Sequence, residues 1–445
     1  MTTEMKDSGV KWIGSVPADW EINKIKYIAT LKGRIGWQGL TSDEYTDEGA
    51  YLITGTDFEN GGINWDSCVH VPMRRWEEAR DIQIEDGDLL ITKDGTIGKV
   101  AIVSGCTAPT SLNSGVLRIS TIDGYDRKFL YWVLQSDVFW TWFADKNAGN
   151  STIQHLYQGD FAEFKYAIPP IDEQGIIATL LDSKCSKVDH ICIDLEMQIK
   201  LLKRYKKAVI SHAVTKGLDA SAPMKETDIG YIDKMPSHWD AKRMKYILAT
   251  PLQYGAHETG DEYNEDWPRY IRITDITEDN ELKDDGKQSL PPDIAKPYLL
   301  KDGDVLFARS GATVGKTFYY TSDCGVAAFA GYLIKAQTNH KKVLPKFLYY
   351  STLSTGYENW KNMVFTQATI QNIGADKYSQ FIVTIPPLDE QVTIVDYLDS
   401  ECGKIDRILA AKTAQLETMK RHKQSLIYEY VTGKKRVKEV TSYAD

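Results

Sequence analysis

The chain has 445 residues, 42% of them hydrophobic and 26% charged, a composition able to build packed cores and long enough for two domains. No run of about 18 apolar residues offers a membrane span, and the polar start "MTTEMKDSGVKW" lacks a signal-peptide core, so the expected compartment is the cytoplasm. A net charge of −9 with a pI near 5.5 argues against a protein that coats nucleic acid without specificity, though not against one whose cations gather on one face.

In chain order, the first 150 or so residues are rich in Gly, Trp and Tyr. Short apolar runs bounded by turns, "GAYLITGTDF" (49–58), "DLLITKDGTIGKVAIV" (88–103) and "NSGVLRIS" (113–120), read as β-strands. "RKFLYWVLQSDVFWTWFA" (127–144) reads as helix. The phrase "IPPIDEQ" (168–174) then changes the texture. Two prolines stand where a helix can start without losing a bond, and long stretches follow with few breakers.

That phrase returns as "IPPLDEQ" at 385–391, 217 residues on. The echo extends in both directions. "LDSKCSKVDHI" (181–191) matches "LDSECGKIDRI" (398–408), and "STIQHL" (151–156) matches "ATIQNI" (368–373). "IGSVPADWEINKIKYI" (13–28) recurs as "IDKMPSHWDAKRMKYI" (232–247), and "EDGDLLITKDGTIGKV" (85–100) as "KDGDVLFARSGATVGKT" (301–317), with one residue inserted. The chain is a tandem duplication. The expected fold class is α+β: two β-rich α/β recognition domains separated by two long helices that form an antiparallel coiled coil, pseudo-two-fold symmetric. The boundaries read as 1–170, a helical spacer 171–220, a second β-rich domain 221–387, a second spacer 388–436, and a tail 437–445.

Within the helices, Val188, Ile191, Leu195, Gln198, Leu202, Tyr205 and Val209 alternate at spacings of three and four. Ile405, Ile408, Lys412, Gln415, Met419, His422 and Leu426 keep the phase. This is a heptad seam with polar interruptions. About 30 such residues at 1.5 Å each span roughly 45 Å, comparable to the ~34 Å of one turn of B-DNA.

The sequence carries no complete catalytic motif. "SGATVGKT" (310–317) and its sister "DGTIGK" (94–99) are too short for a phosphate-binding loop, and they differ from each other in length. They read either as tight turns between strands or as turns presenting Lys and hydroxyls to a polyanion. No zincin, nucleophile-elbow or dinucleotide fingerprint occurs, nor the Asp/Asn-Pro-Pro-aromatic motif of an amino-methyltransferase. The fragments "ELK" (281–283) and "PPDIAK" (291–296) stand in the wrong order for a nuclease. The six cysteines form no CxxC pair and read as reduced thiols, with no metal site. The chain is expected to catalyse nothing itself.

Two similar halves suit a ligand with local two-fold symmetry, such as duplex DNA. Tandem halves, a variable domain ending in "IPP[IL]DEQ", a helix running to "VT" and a repeat of the scheme resemble the specificity subunit of Type I restriction–modification enzymes, over essentially the whole chain. The resemblance implies two domains, each reading one half of a bipartite, asymmetric double-stranded DNA site, with a helix pair setting the gap. It also implies two methyltransferase subunits and two restriction (motor-nuclease) subunits as partners. S-adenosylmethionine and ATP/Mg would belong to those partners, and no cofactor to this chain. The alternatives are a scaffolding adaptor that never touches DNA, an enzyme with an unrecognised site, and a methyltransferase partner without an active nuclease.

By chemistry, the candidate DNA contacts are Lys93, Asp94, Thr96 and Lys99, with Arg309, Ser310, Thr313 and Lys316 in the second copy. The polar segments add Asn150, Ser151, Thr152, Gln154, Gln367, Thr369 and Gln371. Arg34, Trp37, Gln38, Arg74 and Arg75 are loop candidates in the first domain, as are Tyr254, His257 and Arg272 in the second. Asp172, Glu173, Gln174, Asp389, Glu390 and Gln391 read as helix-start residues, where acids favour the positive end, or as contacts for a docked methyltransferase. The basic stretches "KLLKRYKKAV" (200–209) and "KRHKQSL" (420–426) are open to either DNA, partners or solvent.

Overall fold

The computed structural model describes residues 4–34, 40–148, 154–277, 279–366 and 372–437. The chain divides into two compact units, one made of the residues up to Leu195 together with those from Ala414 onward, the other of Glu196–Thr413.

The principal strands of the first unit are β1 (Glu21–Lys24), β2 (Ala29–Gly33), β3 (Ala50–Ile53), β4 (Val69–Val71), β5 (Leu89–Thr92), β6 (Val100–Ile102), β7 (Thr110–Leu112), β8 (Val116–Thr121) and β9 (Lys165–Ile168). Its helices are α1 (Arg127–Gln135), α2 (Asp137–Lys146) and the start of α3 (Ile171–Lys216). A four-stranded sheet runs β6-β5-β8-β2, a three-stranded sheet runs β7-β3-β4, and β1 pairs with β9. β7 lies parallel to β3, while β5, β6 and β8 pair antiparallel. All four residues of β5 are buried, as its unbroken apolar "LLI" run implies.

The second unit repeats this plan. Its principal strands are β10 (Asp240–Arg243), β11 (Gln253–Tyr254), β12 (Asp261–Glu262), β13 (Arg269–Ile271), β14 (Gln288–Ser289), β15 (Val305–Ala308), β16 (Thr317–Tyr319), β17 (Ala327–Phe329), β18 (Leu333–Ala336) and β19 (Ile382–Ile385). Its helices are α4 (Pro345–Thr352), α5 (Thr355–Thr366) and the start of α6 (Leu388–Val431). The sheet orders are β16-β15-β18-β11, β12-β14-β13-β17 and β10-β19, and β13 is again parallel to β17. The duplication therefore extends from sequence to topology.

Each unit has an aromatic core that also takes in a helix end from elsewhere in the sequence. In the first, Trp20, Phe129, Phe139, Trp142, Phe161 and Phe164 pack with Leu426, Ile427, Tyr430 and Val431 from the end of α6. In the second, Trp239, Phe307, Phe347, Tyr357 and Tyr378 pack with Ile210, Ala213 and Val214 from the end of α3. Burying a side chain of this kind stabilises by about 1.5–3 kcal/mol, so each helix end is held firmly by its domain.

Along both helices the buried and half-buried positions correct the expected seam. Those that follow one another at spacings of three and four are Leu181, Cys185, Val188, Cys192, Leu195, Ile199, Leu202, Lys206, Val209 and Ala213, and in α6 Leu398, Cys402, Ile405, Leu409, Lys412, Leu416, Met419, Lys423, Leu426 and Tyr430. The expected Ile191, Gln198 and Tyr205, and Ile408, Gln415 and His422, are all exposed, and the residue after each takes its place. The physical reason is that Lys206 and Lys423 sit at seam positions with their stems packed and their ammonium groups at the rim. In the first unit Lys423 Nζ binds Asp189 at 2.6 Å, and in the second Lys206 Nζ binds Asp406 at 2.6 Å. Both members of one pair are the repeat equivalents of the other pair. Also in the second unit, Lys412 Nζ donates to Gln198 Oε1 at 2.5 Å. The partner number falls as the helix residue rises, so the two segments there run in opposite directions.

The repeated heptapeptide is what ties domain to helix. Trp20 Nε1–H donates to Glu173 Oε2 (3.1 Å), and Trp239 Nε1–H donates to Glu390 Oε2 (3.0 Å). Gln174 is 2% exposed; its Oε1 accepts from the Asp126 N–H (2.7 Å) and its Nε2 donates to Pro169 C=O (2.8 Å). Gln391 is fully buried; its Oε1 accepts from the Leu344 N–H (2.9 Å) while Nε2 donates to Pro386 C=O (2.9 Å) and Lys342 C=O (3.0 Å). Asp172 and Asp389 remain exposed in the first turns. The glutamates and glutamines thus act through long-range internal bonds, with Gln174 and Gln391 inaccessible to a partner.

Candidate nucleic-acid interface

The two glycine turns are hairpin turns, joining β5 to β6 and β15 to β16. Gly98 (φ +78°) and Gly315 (φ +82°) lie in the left-handed region, and a Cβ would collide with Trp140 in the one case and Lys361 in the other. Only glycine lets the turn lie this close to the helices beneath it.

In the first turn, Lys93 N–H donates to Gly115 C=O (2.8 Å), and Leu156 N–H donates to Lys93 C=O (3.0 Å). His155 Nδ1 lies 2.7 Å from Asp94 Oδ1, and Tyr157, 5.8 Å from the His155 ring, is exposed. Thr96 Oγ1 donates to Gly55 C=O (3.1 Å), the Thr92 hydroxyl donates to Thr96 C=O, and Lys99 Nζ reaches Phe58 C=O at 3.4 Å. Gln154 is exposed beside this cluster in sequence. The second turn repeats the arrangement with different side chains. Arg309 N–H donates to Tyr332 C=O (3.0 Å), Ile373 N–H donates to Arg309 C=O (2.9 Å), and Ser310 is bridged to Asn372. The Arg309 guanidinium lies over the Tyr254 ring at 4.9 Å, and Tyr254 OH accepts from the Ala375 N–H at 3.0 Å. His257 is exposed against Gly331, and Tyr332 is 61% exposed. Thr313 and Lys316 are half-buried on the same turn.

Other expected contacts sit elsewhere. Arg34 is 5% exposed; its Nε donates to Leu112 C=O (2.8 Å) and Nη2 to Ser111 Oγ (2.9 Å). Burial lowers its pKa, and it stitches β2 to the end of β7 instead of facing a ligand. Arg75 is held by Glu44 (3.0 Å) and Glu78 (3.2 Å), and Arg272 by both oxygens of Asp275. Arg74 is exposed and reaches Glu78 at 3.6 Å. Trp37, Gln38, Asn150, Ser151, Thr152, Gln367, Thr369 and Gln371 lie outside the described residues. His155, Tyr157, Tyr332 and Asn372 stand beside these turns and are not among the residues expected from the sequence. The repeat alignment could have found two of them, since His155 matches Asn372, whereas Tyr332 stands where the first copy has Gly115 and only strand pairing sets it opposite Arg309.

These clusters offer cations, hydroxyls, an imidazole and exposed aromatic rings, the groups that contact phosphates and base edges. Among the described residues, no group of His, Cys, Asp and Glu is arranged to hold a metal ion, and no helix is long and apolar enough to cross a membrane.

A family model described as "Type I restriction modification DNA specificity domain" matches residues 17–202 and again 261–418, more than half of the chain. The chain belongs to that family. Among its relatives, the Type I restriction enzyme EcoBI specificity subunit of Escherichia coli is 23% identical over 442 residues, covering 97% of this chain and 89% of the relative. The MjaVIII specificity subunit of Methanocaldococcus jannaschii is likewise 23% identical over 442 residues, covering 96% and 95%. A chain solved in work on complex assembly and conformational transition of the type I R-M system shares the fold, with a TM-score of 0.67 at 15% identity over 94% of this chain and 99% of that one. The chain is the specificity component of a restriction–modification system and not itself an enzyme. The scaffolding alternative finds no support in these matches.

Proposed function

We propose that the chain selects a bipartite, asymmetric site on double-stranded DNA for a Type I complex. The recognition domain 1–170 reads one half of the site and the domain 221–387 the other. The helical spacers 171–220 and 388–436 pair as an antiparallel coiled coil with pseudo-two-fold symmetry and fix the gap. Two methyltransferase subunits and two restriction subunits dock on this frame, in the cytoplasm, and bring S-adenosylmethionine and ATP/Mg.

One observation carries the reading: the same turn in the same topology bears different polar residues in the two units. Lys93, Asp94 and His155 in one stand where Arg309, Ser310 and Asn372 stand in the other. A shared frame with unlike side chains is what two readers of unlike half-sites require. The repeat-equivalent ion pairs Lys423–Asp189 and Lys206–Asp406 support the symmetric helix pairing.

The test is co-expression with the cognate methyltransferase subunit, followed by mapping of adenine methylation across the host genome. The expected result is one split motif with a fixed gap, and exchange of residues 1–170 for those of another family member should change only one half of it. Absence of methylation from a verified complex would overturn the reading.

A further inference from the structure

Two positions in this acidic chain hold cations whose backbone is clamped and whose charged ends make no hydrogen bond or ion pair among the described residues, although the Arg309 guanidinium lies over the Tyr254 ring. Lys93 and Arg309 are repeat equivalents, each the first residue after its strand and each held by the same two backbone bonds described above. Other arginines of the two recognition domains are engaged internally: Arg34 on carbonyl and hydroxyl oxygens, Arg75 on Glu44, Arg118 on Asp88, Arg272 on Asp275. Neither Lys93 Nζ nor the Arg309 guanidinium makes a hydrogen bond or ion pair among the described residues. Arg309 Nε is moreover buried without a hydrogen-bond acceptor among the described residues, a state it shares with Arg269 Nε, so it is the outer nitrogens of the guanidinium that remain to meet a ligand.

The two side chains differ in kind. Arg309 lies over Tyr254, whose hydroxyl is itself fixed by the Ala375 N–H. The ring therefore holds the guanidinium beside the turn before any ligand arrives. A phosphate contact needs a positive charge but no fixed plane. A planar fork of parallel donors matches the O6 and N7 acceptors of guanine. Lys93 has no such stacking partner and presents a point charge.

We propose that residues 93 and 309 are the paired specificity-determining positions of the two recognition domains, and that Arg309 reads a guanine through its major-groove edge. This rests on the DNA-reading function proposed above. The Lys/Arg difference at one shared site is then a source of asymmetry between the half-sites.

The experiment compares the wild-type chain with R309A, R309K and K93A, each in complex with the methyltransferase, by mapping adenine methylation. R309A is expected to keep the gap and one half-site intact and to lose about 10- to 100-fold discrimination at a single G·C pair of the other half. R309K, which keeps the charge without the fork, should relax the same position to a lesser degree, and K93A should affect one position in the opposite half only. An unchanged motif in R309A and R309K overturns the proposal. So does an even loss across all sites with a salt slope shallower by about one, the signature of a phosphate contact. Gel filtration of each complex and its melting curve report folding, and R309K decides if R309A does not assemble. A wild-type complex that yields no split motif sinks the functional reading itself, whereas a wild-type motif untouched by both variants sinks only the present inference.

Discussion

Replacing Gln391 by leucine separates a structural from a docking role for the repeated heptapeptide. The side chain is fully buried and satisfies three backbone groups: the Leu344 N–H, where α4 begins, and the carbonyls of Lys342 and Pro386. Leucine has similar volume but no polar atom, so all three are left unpaired. At about 1–3 kcal/mol for each buried unsatisfied group, with some relaxation, Q391L should lose roughly 3–6 kcal/mol. For a unit of about 200 residues, at 2–4 °C per kcal/mol, that is a fall of roughly 6–24 °C in the melting of the second unit. Gln174 satisfies only two groups, the Asp126 N–H and the Pro169 carbonyl, so Q174L should lose less and act on the first unit. Scanning calorimetry of the two variants measures both. A Q391L protein melting within about 2 °C of wild type, yet unable to bind the methyltransferase, would refute this account and return the motif to partner docking.

Elsewhere, K206M and K423M should be neutral or slightly stabilising in urea titrations. Each ion pair has a half-exposed aspartate, so its loss forfeits little, while methionine fills the seam with apolar surface. The C-terminal Arg436 binds Asp19 (2.9 Å) and Glu173 (2.7 Å) and, chiefly by that hydrogen bond, holds the Asp19 carboxyl below its ordinary value of 3.8. A depressed carboxylate pKa contributes stability that is present above the unfolded value and lost as pH falls through the folded one. The stability difference between wild type and R436A should therefore narrow as pH is lowered below about 4, as acid titrations followed by circular dichroism would register. Burial pushes the Cys68 thiol up to about 12 and those of Cys185 and Cys402 up to about 11. Iodoacetamide at pH 8 should leave all three unmodified in the native protein, and mass spectrometry of the labelled chain checks it.

The duplication, the long helices and the glycine hairpins were legible in the sequence because they depend on identity at fixed spacing or on local backbone rules. The phase of the seam was not. Hydrophobicity points to the inward neighbour at Ile199 and Leu416, but it does not separate Ile408 from Leu409, and it favours the wrong residue where Ile191 stands beside Cys192 and where a lysine occupies the inward place at 206 and 423. Glu173 and Gln174 do stand in the first turn of α3, as expected, but their long-range bonds were not legible because Trp20 and the Asp126 amide are far away in sequence. Arg34 failed as a ligand contact for a related reason. A cation at a strand end reads as exposed until the carbonyl that receives it is known.

The core of the first unit is completed by Leu426, Ile427, Tyr430 and Val431, whereas the second unit is one continuous stretch of chain. During synthesis the second unit is therefore whole before the first. The ribosome must add about 220 further residues after Leu195 before it reaches Ala414, which at roughly 5–20 residues per second takes about 10–45 s. Throughout that interval the site for the last helix turns on the N-terminal domain stays uncovered. The half translated first is the half that waits longest for its native state, and it is the one a chaperone would meet on nascent chains.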